Sequence, residues 1–397
     1  MVLVLMYFII ILLITKELRL CDFKERFYFW VCTFLSCIFA IIYRTYLINE
    51  GIEYGLANLD MQYYMSLADK IQDMSINDGF ATISAHWNFA NVNFIQIWGY
   101  RFYIYFLSFS IFKLSFFPTV VSVYLVSIWQ LLLAAYSVLK IYNTIKDKFI
   151  CFRYSSLILM LSAPPIWYAC VRLLREPFML LLIALLVSVV LKKNHIWLFK
   201  TIILLLLLTV FRPYYAVLMI PLLLILDNRI KLAFLMEGGL FVILAVLSVI
   251  RGTDPISILG VVLSPNFFNQ VKNVVVNSSV VSEVSGEIPL ISFIGSIWNI
   301  IMLYYIGASI VLSRRLSMIC WCCMGIILDI CMIYGIAFAG ATELRHKMFF
   351  VLPFILILNS GALSQMESNR RQTSVIVSAA ILANFLVGYA LITCLIY

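Results

Sequence analysis

Two stretches of the sequence place arginine residues inside segments that are otherwise apolar. Arg172 and Arg175 lie in SAPPIWYACVRLLREPFMLLL, residues 162–182, and Arg212 lies in TVFRPYYAVL, residues 209–218. A guanidinium group presents a rigid fork of donors that matches phosphate oxygens. An unpaired charge at the centre of a bilayer costs at least about 3 kcal/mol. These arginines are therefore expected to bind an anion or to form internal ion pairs.

The spacing of charges in residues 162–182 suggests which arginine meets the anion. Arg172 and Glu176 are four residues apart, which would let them pair on one face of a helix and leave Arg175 for the anion. Pro177 is expected to begin the next helix, because proline favours the first helical position. The alternative is that both arginines only anchor the segment, with their charged ends reaching the membrane surface.

Arg212 stands at the junction of two apolar runs, residues 201–211 and 213–226. Pro213 lacks an N–H group and favours a break in a helix. We therefore predict two short helices that meet at Arg212, with both outer ends on the cytoplasmic side. Non-helical backbone at mid-membrane depth persists only when it is buried in protein or lines a wet cavity. The prediction places Arg212 in such a cavity.

Two tyrosines, Tyr214 and Tyr215, follow this junction and are candidates to hold a lipid or one face of a sugar. The alternative for Arg212 is an internal ion pair with Glu237 or Asp329. Other charged residues in or near apolar runs are expected to form structural pairs; they are Arg44, Arg101, Glu237 and Asp329.

A third basic cluster occurs in GATELRHKMFFVLPF, residues 340–354. Arg345 and Lys347 are candidate ligands for an anionic substrate. His346 lies between them, and its side chain is suited to acid–base work or to hydrogen bonding with a phosphate. The alternative is that this short loop merely contains charges, as many loops between membrane segments do.

A candidate general base is Asp60 in NLDMQYYMSLADKI, residues 58–71. Tyr64, Leu67 and Ile71 fall on one face of a predicted amphipathic helix, which would lie at the membrane interface. A carboxylate held there could take a proton from a sugar hydroxyl. The alternative is that Asp60 only caps the helix.

No cofactor is indicated by the sequence. Most of the ten cysteines lie within apolar runs, and neither they nor the three histidines show metal-ligand spacing. There is no P-loop, zinc signature or G-x-S-x-G elbow, so nucleotide-driven transport and serine hydrolysis lack support. No metal site is therefore predicted, and a divalent cation is left as an alternative without a supporting motif.

The elements that must position these residues are helices in a membrane. The 397 residues are 64% hydrophobic and only 12% charged, whereas a soluble domain has about 25% charged residues. Many apolar runs exceed the roughly 17 residues that a helix needs to span hydrocarbon. We predict an all-α, polytopic membrane protein, a single domain over residues 1–397, with about 11–13 transmembrane or re-entrant helices.

Basic loops predict the orientation of the chain. The net charge of +9 comes from lysines and arginines in short loops, which is typical of cytoplasmic loops rather than of a nucleic-acid surface. Residues 49–95 and 251–291 are long and poor in lysine and arginine, so both are predicted to be external, in the periplasm of a bacterium. The basic stretch 140–153 does not fit, because two crossings from the first external loop would place it outside. Either one of the runs 96–113 and 118–139 does not cross fully, or the rule fails there.

The order of these segments is similar to that in membrane glycosyltransferases of the GT-C superfamily. Their early external loop resembles LDMQYY, residues 59–64. Their segment with proline and Arg–Glu resembles PPIWYACVRLLREP, residues 164–177, and their late basic segment resembles RHKMFFVLP, residues 345–353. Size, hydropathy and number of helices also resemble those of Wzy-type O-antigen polymerases. Asp60 lacks the acidic partner that many GT-C enzymes have, which argues against a metal there and weakens its assignment as the base. The resemblance also lacks the soluble C-terminal domain of many GT-C enzymes, and this favours the polymerase.

The resemblance implies a glycosyltransferase of the bacterial inner membrane with its active site facing the periplasm. Its substrate would be an oligosaccharide linked to undecaprenyl pyrophosphate, and a chain-length regulator would be a further partner. Arginines would bind the pyrophosphate, while Asp60 or His346 would accept the proton of the acceptor hydroxyl. One alternative is a GT-C enzyme that adds a single sugar from a polyprenyl-phosphate donor. Another is a flippase for lipid-linked glycans, because transporters also contain broken helices.

Overall fold

The computed structural model describes residues 2–49, 51–55, 59–86, 94–146 and 153–250, together with residue 352. The described part is helical and contains no strand, as expected for an all-α protein. A 3-10 turn (Glu53–Gly55) and a π-helical segment (Ser108–Lys113) accompany the α-helices. These are α1 (Val2–Leu18), α2 (Phe23–Asn49), α3 (Leu59–Lys70), α4 (Ile76–His86), α5 (Phe94–Leu107), α6 (Thr119–Ile145), α7 (Arg153–Leu161), α8 (Pro164–Val171), α9 (Glu176–Lys192), α10 (Trp197–Phe211), α11 (Pro213–Leu226) and α12 (Ile230–Ile250).

Within the described residues, three helices are long and apolar enough to cross a membrane: α2, α6 and α12. Helices α10 and α11 are shorter and equally apolar. Such helices are typical of a membrane protein. The predicted external loop 251–291 and the apolar runs that follow it lie outside the described residues.

Helix α6 forms the centre of the bundle and runs parallel to α1. Near the start of both helices, Tyr7 donates a hydrogen bond to the Leu125 carbonyl at 2.6 Å. Near their ends, Lys140 pairs with Glu17 at 2.8 Å. Two contacts at matching heights fix the direction and register of α1 on α6.

Helix α2 runs antiparallel to α6. Near the start of α2, Glu25 accepts a hydrogen bond from Tyr142, close to the end of α6, at 2.6 Å. Near the end of α2, Arg44 donates to Ser127, close to the start of α6, at 2.7 Å. The end of α2 and the start of α6 therefore lie at the same end of the bundle, so the chain between them makes no net crossing of it.

The first basic loop and the basic end of α6 lie together at the other end. Asp22 and Glu25 form a reciprocal N-terminal cap of α2, with hydrogen bonds of 2.9 and 2.8 Å. Lys146 donates to the Leu20 carbonyl at 2.7 Å. The basic end of α6 therefore lies beside the first basic loop, while the placement of residues 140–153 relative to a membrane stays a prediction.

The predicted break at Arg212 is confirmed. Helix α10 ends at Phe211 and α11 begins at Pro213, while Arg212 is extended, with φ −157° and ψ 104°. The residue before a proline is forced away from helical dihedrals in this manner. Lys193, before α10, forms an ion pair with Asp227, after α11. The two helices therefore form a hairpin whose outer ends meet, with Arg212 at its tip.

Candidate functional site

The turn between α8 and α9 places Arg172 at the end of a helix rather than within one. Leu174 N–H donates to the Ala169 carbonyl and Leu173 N–H to the Cys170 carbonyl, both at 3.1 Å. Leu173 has a positive φ of 50°. These features define a Schellman motif, in which the left-handed position usually belongs to glycine.

This geometry corrects the expected relation of Arg172 to Glu176. Their spacing of four residues predicts that both lie on one face of a single helix. In the structure, α8 ends before Arg172 and α9 begins at Glu176. The left-handed Leu173 between them reverses the chain. A helix begins at the predicted place, with Glu176 as its first residue and Pro177 as its second. Arg172, Arg175 and Glu176 are all at most 2% exposed.

The tip of the α10–α11 hairpin meets this turn. Arg212, 8% exposed, forms an ion pair with Glu176 at 3.4 Å between Nη2 and Oε1. This is longer than the roughly 2.7–2.9 Å of a strong charge-assisted hydrogen bond. Arg212 Nη1 donates to the Tyr214 hydroxyl at 2.8 Å. The sequence suggested Glu237 or Asp329 as the carboxylate; the contact identified is with Glu176, and Asp329 lies outside the described residues.

The guanidinium group of Arg175 contacts Tyr100 of α5. Its Nη2 donates to the Tyr100 hydroxyl at 2.9 Å, and its guanidinium carbon lies 3.9 Å from the centre of that ring. Among the described residues, neither Arg175 Nη1 nor Glu176 Oε2 has a hydrogen-bond partner, although both atoms are buried. A buried polar group without a partner costs about 1–3 kcal/mol. Arg175 Nη1 is thus a donor that an anionic ligand can satisfy.

One face of α5 contacts both turns. Tyr103 donates a hydrogen bond to the Leu173 carbonyl and accepts one from Gln130 of α6 at 2.8 Å. Tyr100 holds Arg175 as described above. The four residues that form this face occur at the helical spacing i, i+3, i+4 and i+7; they are Gln96, Gly99, Tyr100 and Tyr103.

The same face of α5 supports the hairpin tip. Gln96 donates to the Phe211 carbonyl at 3.4 Å. Gly99 packs directly on the backbone, and a Cβ built on it would lie 2.5 Å from the Val210 carbonyl oxygen. These residues were not predicted from the sequence, because only the charge of Arg101 was considered in this stretch. The signal that could have revealed them is the polar and small face at helical spacing in an otherwise apolar run.

Aromatic rings enclose the site on the side of α9. Phe178 contacts Phe106 with ring centres 5.0 Å apart, and it stacks on Phe211 with an angle of 6° between the rings. Phe178 and Phe211 are close in sequence to Glu176 and Arg212. Rings at these places exclude water, and charge interactions are stronger in the lower dielectric that results.

Helix α3 brings Asp60 to the neighbourhood of α5. The predicted apolar face is confirmed, since Tyr64, Leu67 and Ile71 are at most 5% exposed. The ring of Tyr64 lies 6.0 Å from that of Tyr100. Asp60 belongs to the first turn of α3, one turn before Tyr64, and its side chain lies outside what the structure describes.

The remaining candidates divide into two groups. Tyr215 is 2% exposed and packs against Tyr214, with ring centres 4.8 Å apart. Arg345, His346 and Lys347 lie outside the described residues. No group of three or more histidine, cysteine, aspartate or glutamate side chains that could hold a metal ion occurs within the described ranges.

A cavity of about 170 Å³ lies where the segment after α2 meets α3 and the π-helical segment. Burial, followed by the charges of Glu53 and Asp69, raises the pKa of Tyr54 in its wall. Carboxylates repel phosphate but accept hydrogen bonds from hydroxyl groups, so this cavity suits a neutral sugar. Its polar lining consists of Glu53, Tyr54, Gln62, Ser66 and Asp69.

Comparisons with models of protein families, with curated proteins and with solved structures find no match. The function of the chain is therefore inferred from its own residues and contacts.

Proposed function

We propose that this protein is a bacterial inner-membrane glycosyltransferase that polymerises oligosaccharide repeats linked to undecaprenyl pyrophosphate. The single observation that supports this most is the meeting of two arginine-bearing turns inside the helical bundle. Arg212 of one turn pairs with Glu176 of the other, next in sequence to Arg175, and Arg175 Nη1 is buried without an acceptor among the described residues. A pyrophosphate supplies such acceptors.

The proposed reaction transfers the reducing-end sugar of one lipid-linked chain to a hydroxyl group of another. The bond between the anomeric carbon and the pyrophosphate oxygen breaks, and the acceptor oxygen forms the new glycosidic bond. The leaving group is undecaprenyl pyrophosphate, whose developing negative charge Arg172, Arg175 and Arg212 stabilise. The proton of the acceptor hydroxyl goes to Asp60 or His346.

The hairpin of α10 and α11 suits a substrate with a lipid tail. Its outer surface is apolar: Leu206 of α10 and Val217 of α11 are 61% and 45% exposed. A polyprenyl chain lying along such helices would place its pyrophosphate at the hairpin tip, beside Arg212 and Tyr214. Arg345 and Lys347 are proposed as further ligands, and the cavity beside Tyr54 as a place for sugar hydroxyls.

The decisive experiment uses purified protein in liposomes that contain lipid-linked repeat units. A ladder of products supports the polymerase, whereas one added sugar from a polyprenyl-phosphate donor supports the single-sugar transferase. Movement of the glycan across the bilayer without new glycosidic bonds supports the flippase, which the broken α10–α11 helices also permit.

The Arg212→Ala variant tests the site within this assay. We expect loss of polymer by about 10²–10³-fold, with single-repeat product retained. Arg229→Ala is the matched control, because Arg229 is 65% exposed just after the same hairpin; it should make normal polymer.

Loss of Arg212 also leaves Glu176 as a buried charge, which costs about 3–5 kcal/mol. The double variant Arg212→Ala/Glu176→Gln removes that penalty. It should regain thermal stability without regaining polymer. Polymer of normal length from either variant would show that Arg212 has only a structural role.

A further inference from the structure

Arg44 of α2 is a fully buried arginine whose role the proposed reaction does not explain. It is 0% exposed. Its Nη1 donates to the Tyr54 carbonyl at 2.7 Å, and its Nη2 donates to Ser127 Oγ at 2.7 Å and to the Val171 carbonyl. One side chain of α2 therefore contacts the segment before α3, the central helix α6 and the end of α8.

The acceptors of Arg44 in the described part of the chain are two carbonyls and a hydroxyl, with no carboxylate among them. Burial of a cation without a counter-ion costs several kcal/mol. Within the described residues, Arg44 is bound by two backbone carbonyls and a hydroxyl, whereas the sequence predicted a structural pair. An arrangement this costly within a candidate membrane span favours a role beyond packing.

The position of Val171 shows what Arg44 holds. Val171 is the last residue of α8 and directly precedes Arg172. The last carbonyls of a helix have no partner within the helix. In the Schellman motif the Ala169 and Cys170 carbonyls are satisfied by the turn itself. The Val171 carbonyl depends on Arg44, whose positive charge also meets the negative end of the helix dipole.

We propose that Arg44 is a positioning residue that holds the turn 172–176 at the depth where Arg172 and Arg175 meet the pyrophosphate. Lysine cannot replace it, because a single ammonium on a flexible stem does not reproduce the planar fork that reaches several acceptors. The contribution to substrate binding rests on the proposed function. The contact by which Arg44 holds the turn, called the clamp below, does not rest on it. The clamp and the pyrophosphate site can therefore be refuted separately.

The hold of Arg44 on the turn is tested without a ligand through the native cysteine Cys170, which is 0% exposed and lies at the end of α8, two residues before the turn. Labelling of the full-length protein in membranes with N-ethylmaleimide is resolved by mass spectrometry. In Arg44→Lys and Arg44→Met, we expect Cys170 to label at least about tenfold faster, as for a local opening. Cys32, on α2 and 8% exposed, is the internal control and should label at an unchanged rate.

Equal acceleration at both cysteines would indicate general unfolding, and no acceleration at Cys170 would show that Arg44 does not hold the turn. Either result overturns the proposal. Arg101→Lys is the matched control variant, because Arg101 lies on α5 between the rings of Trp98 and Phe80. Its Cys170 should label as in the wild type.

The second measurement is the affinity for farnesyl pyrophosphate as a soluble probe of the pyrophosphate site. Misplacement of a binding group by about 1 Å can lower activity about 10²-fold. We expect Arg44→Lys as a single substitution to weaken binding of the probe strongly. Added to Arg175→Ala, it should weaken binding little further, because Arg44 acts through the turn that holds Arg175. Effects that simply add would refute this coupling. If wild type does not bind the probe while Cys170 responds as expected, the proposed pyrophosphate site fails and the clamp stands.

Discussion

Substitution of Gly99 by alanine tests whether α5 positions the hairpin tip. A Cβ on Gly99 would lie 2.5 Å from the Val210 carbonyl oxygen, 3.1 Å from its carbon and 3.2 Å from Phe211 Cα. All three are backbone atoms, so no side chain can rotate away to relieve the contact. Either α5 or the end of α10 must move, and Arg212 is the next residue after Phe211.

The size of the effect follows from two opposing terms. Overpacking in a buried site costs about 1–3 kcal/mol, and contact with backbone on three atoms places Gly99→Ala at the upper end. Alanine gains about 1 kcal/mol of helix propensity over glycine. A net loss of about 2 kcal/mol remains. Gly238→Ala in α12 is the matched control, because a Cβ there meets nothing within 4 Å; it should gain up to about 1 kcal/mol.

The assay is thermal unfolding of both variants in the same detergent, followed by polymer formation in liposomes. A difference of about 3 kcal/mol corresponds to several degrees in melting temperature. Gly99→Ala should also lose polymer, because displacement of the tip lengthens the Arg212–Glu176 pair, already 3.4 Å in the wild type. If Gly99→Ala is as stable and as active as Gly238→Ala, α5 does not position the hairpin.

Two further variants test the other contacts. Tyr103→Phe removes the hydrogen bond to the Leu173 carbonyl and leaves Gln130 Nε2 without its acceptor; we expect a loss of about 1–3 kcal/mol in unfolding experiments, and an unchanged stability would contradict these bonds. Lys193→Glu should lower the melting temperature by placing two like charges together at the ends of the hairpin, and adding Asp227→Lys should restore part of the loss, because Asp227 also pairs with Arg229. Failure of the second substitution to rescue the first would argue against the hairpin.

Local chemistry made the hairpin break predictable from sequence. Pro213 removes a backbone donor and restricts the residue before it, so the break at Arg212 follows from two adjacent residues. The apolar face of α3 was equally predictable from the sequence, because Tyr64, Leu67 and Ile71 recur at helical spacing. Both features depend only on residues within one or two turns of each other.

The features that were not predicted from the sequence depend on residues far apart in the chain or on an unusual backbone conformation. Gln96 and Phe211 are 115 positions apart, and no local pattern identifies such a pair. The left-handed turn after α8 contains Leu173, where glycine is the usual signal, so the chain reversal between Arg172 and Glu176 was not evident. Arg44 was expected to form a structural pair, but its backbone acceptors could not be inferred from residue types.

The turn 172–176 concentrates features that lower the stability of the unliganded protein. Leu173 adopts a conformation that costs a non-glycine residue about 1–3 kcal/mol. Arg175 Nη1 and Glu176 Oε2 are buried without partners among the described residues. A purely structural ion pair would satisfy these atoms, and glycine at position 173 would remove the strain. Arg44 of α2 and Tyr103 of α5 hold the turn in place despite the strain at Leu173 and the two buried atoms. Such external support is expected where a buried donor must be kept in place for a ligand, because a donor that relaxed toward an internal acceptor would have to break that bond to bind the proposed pyrophosphate.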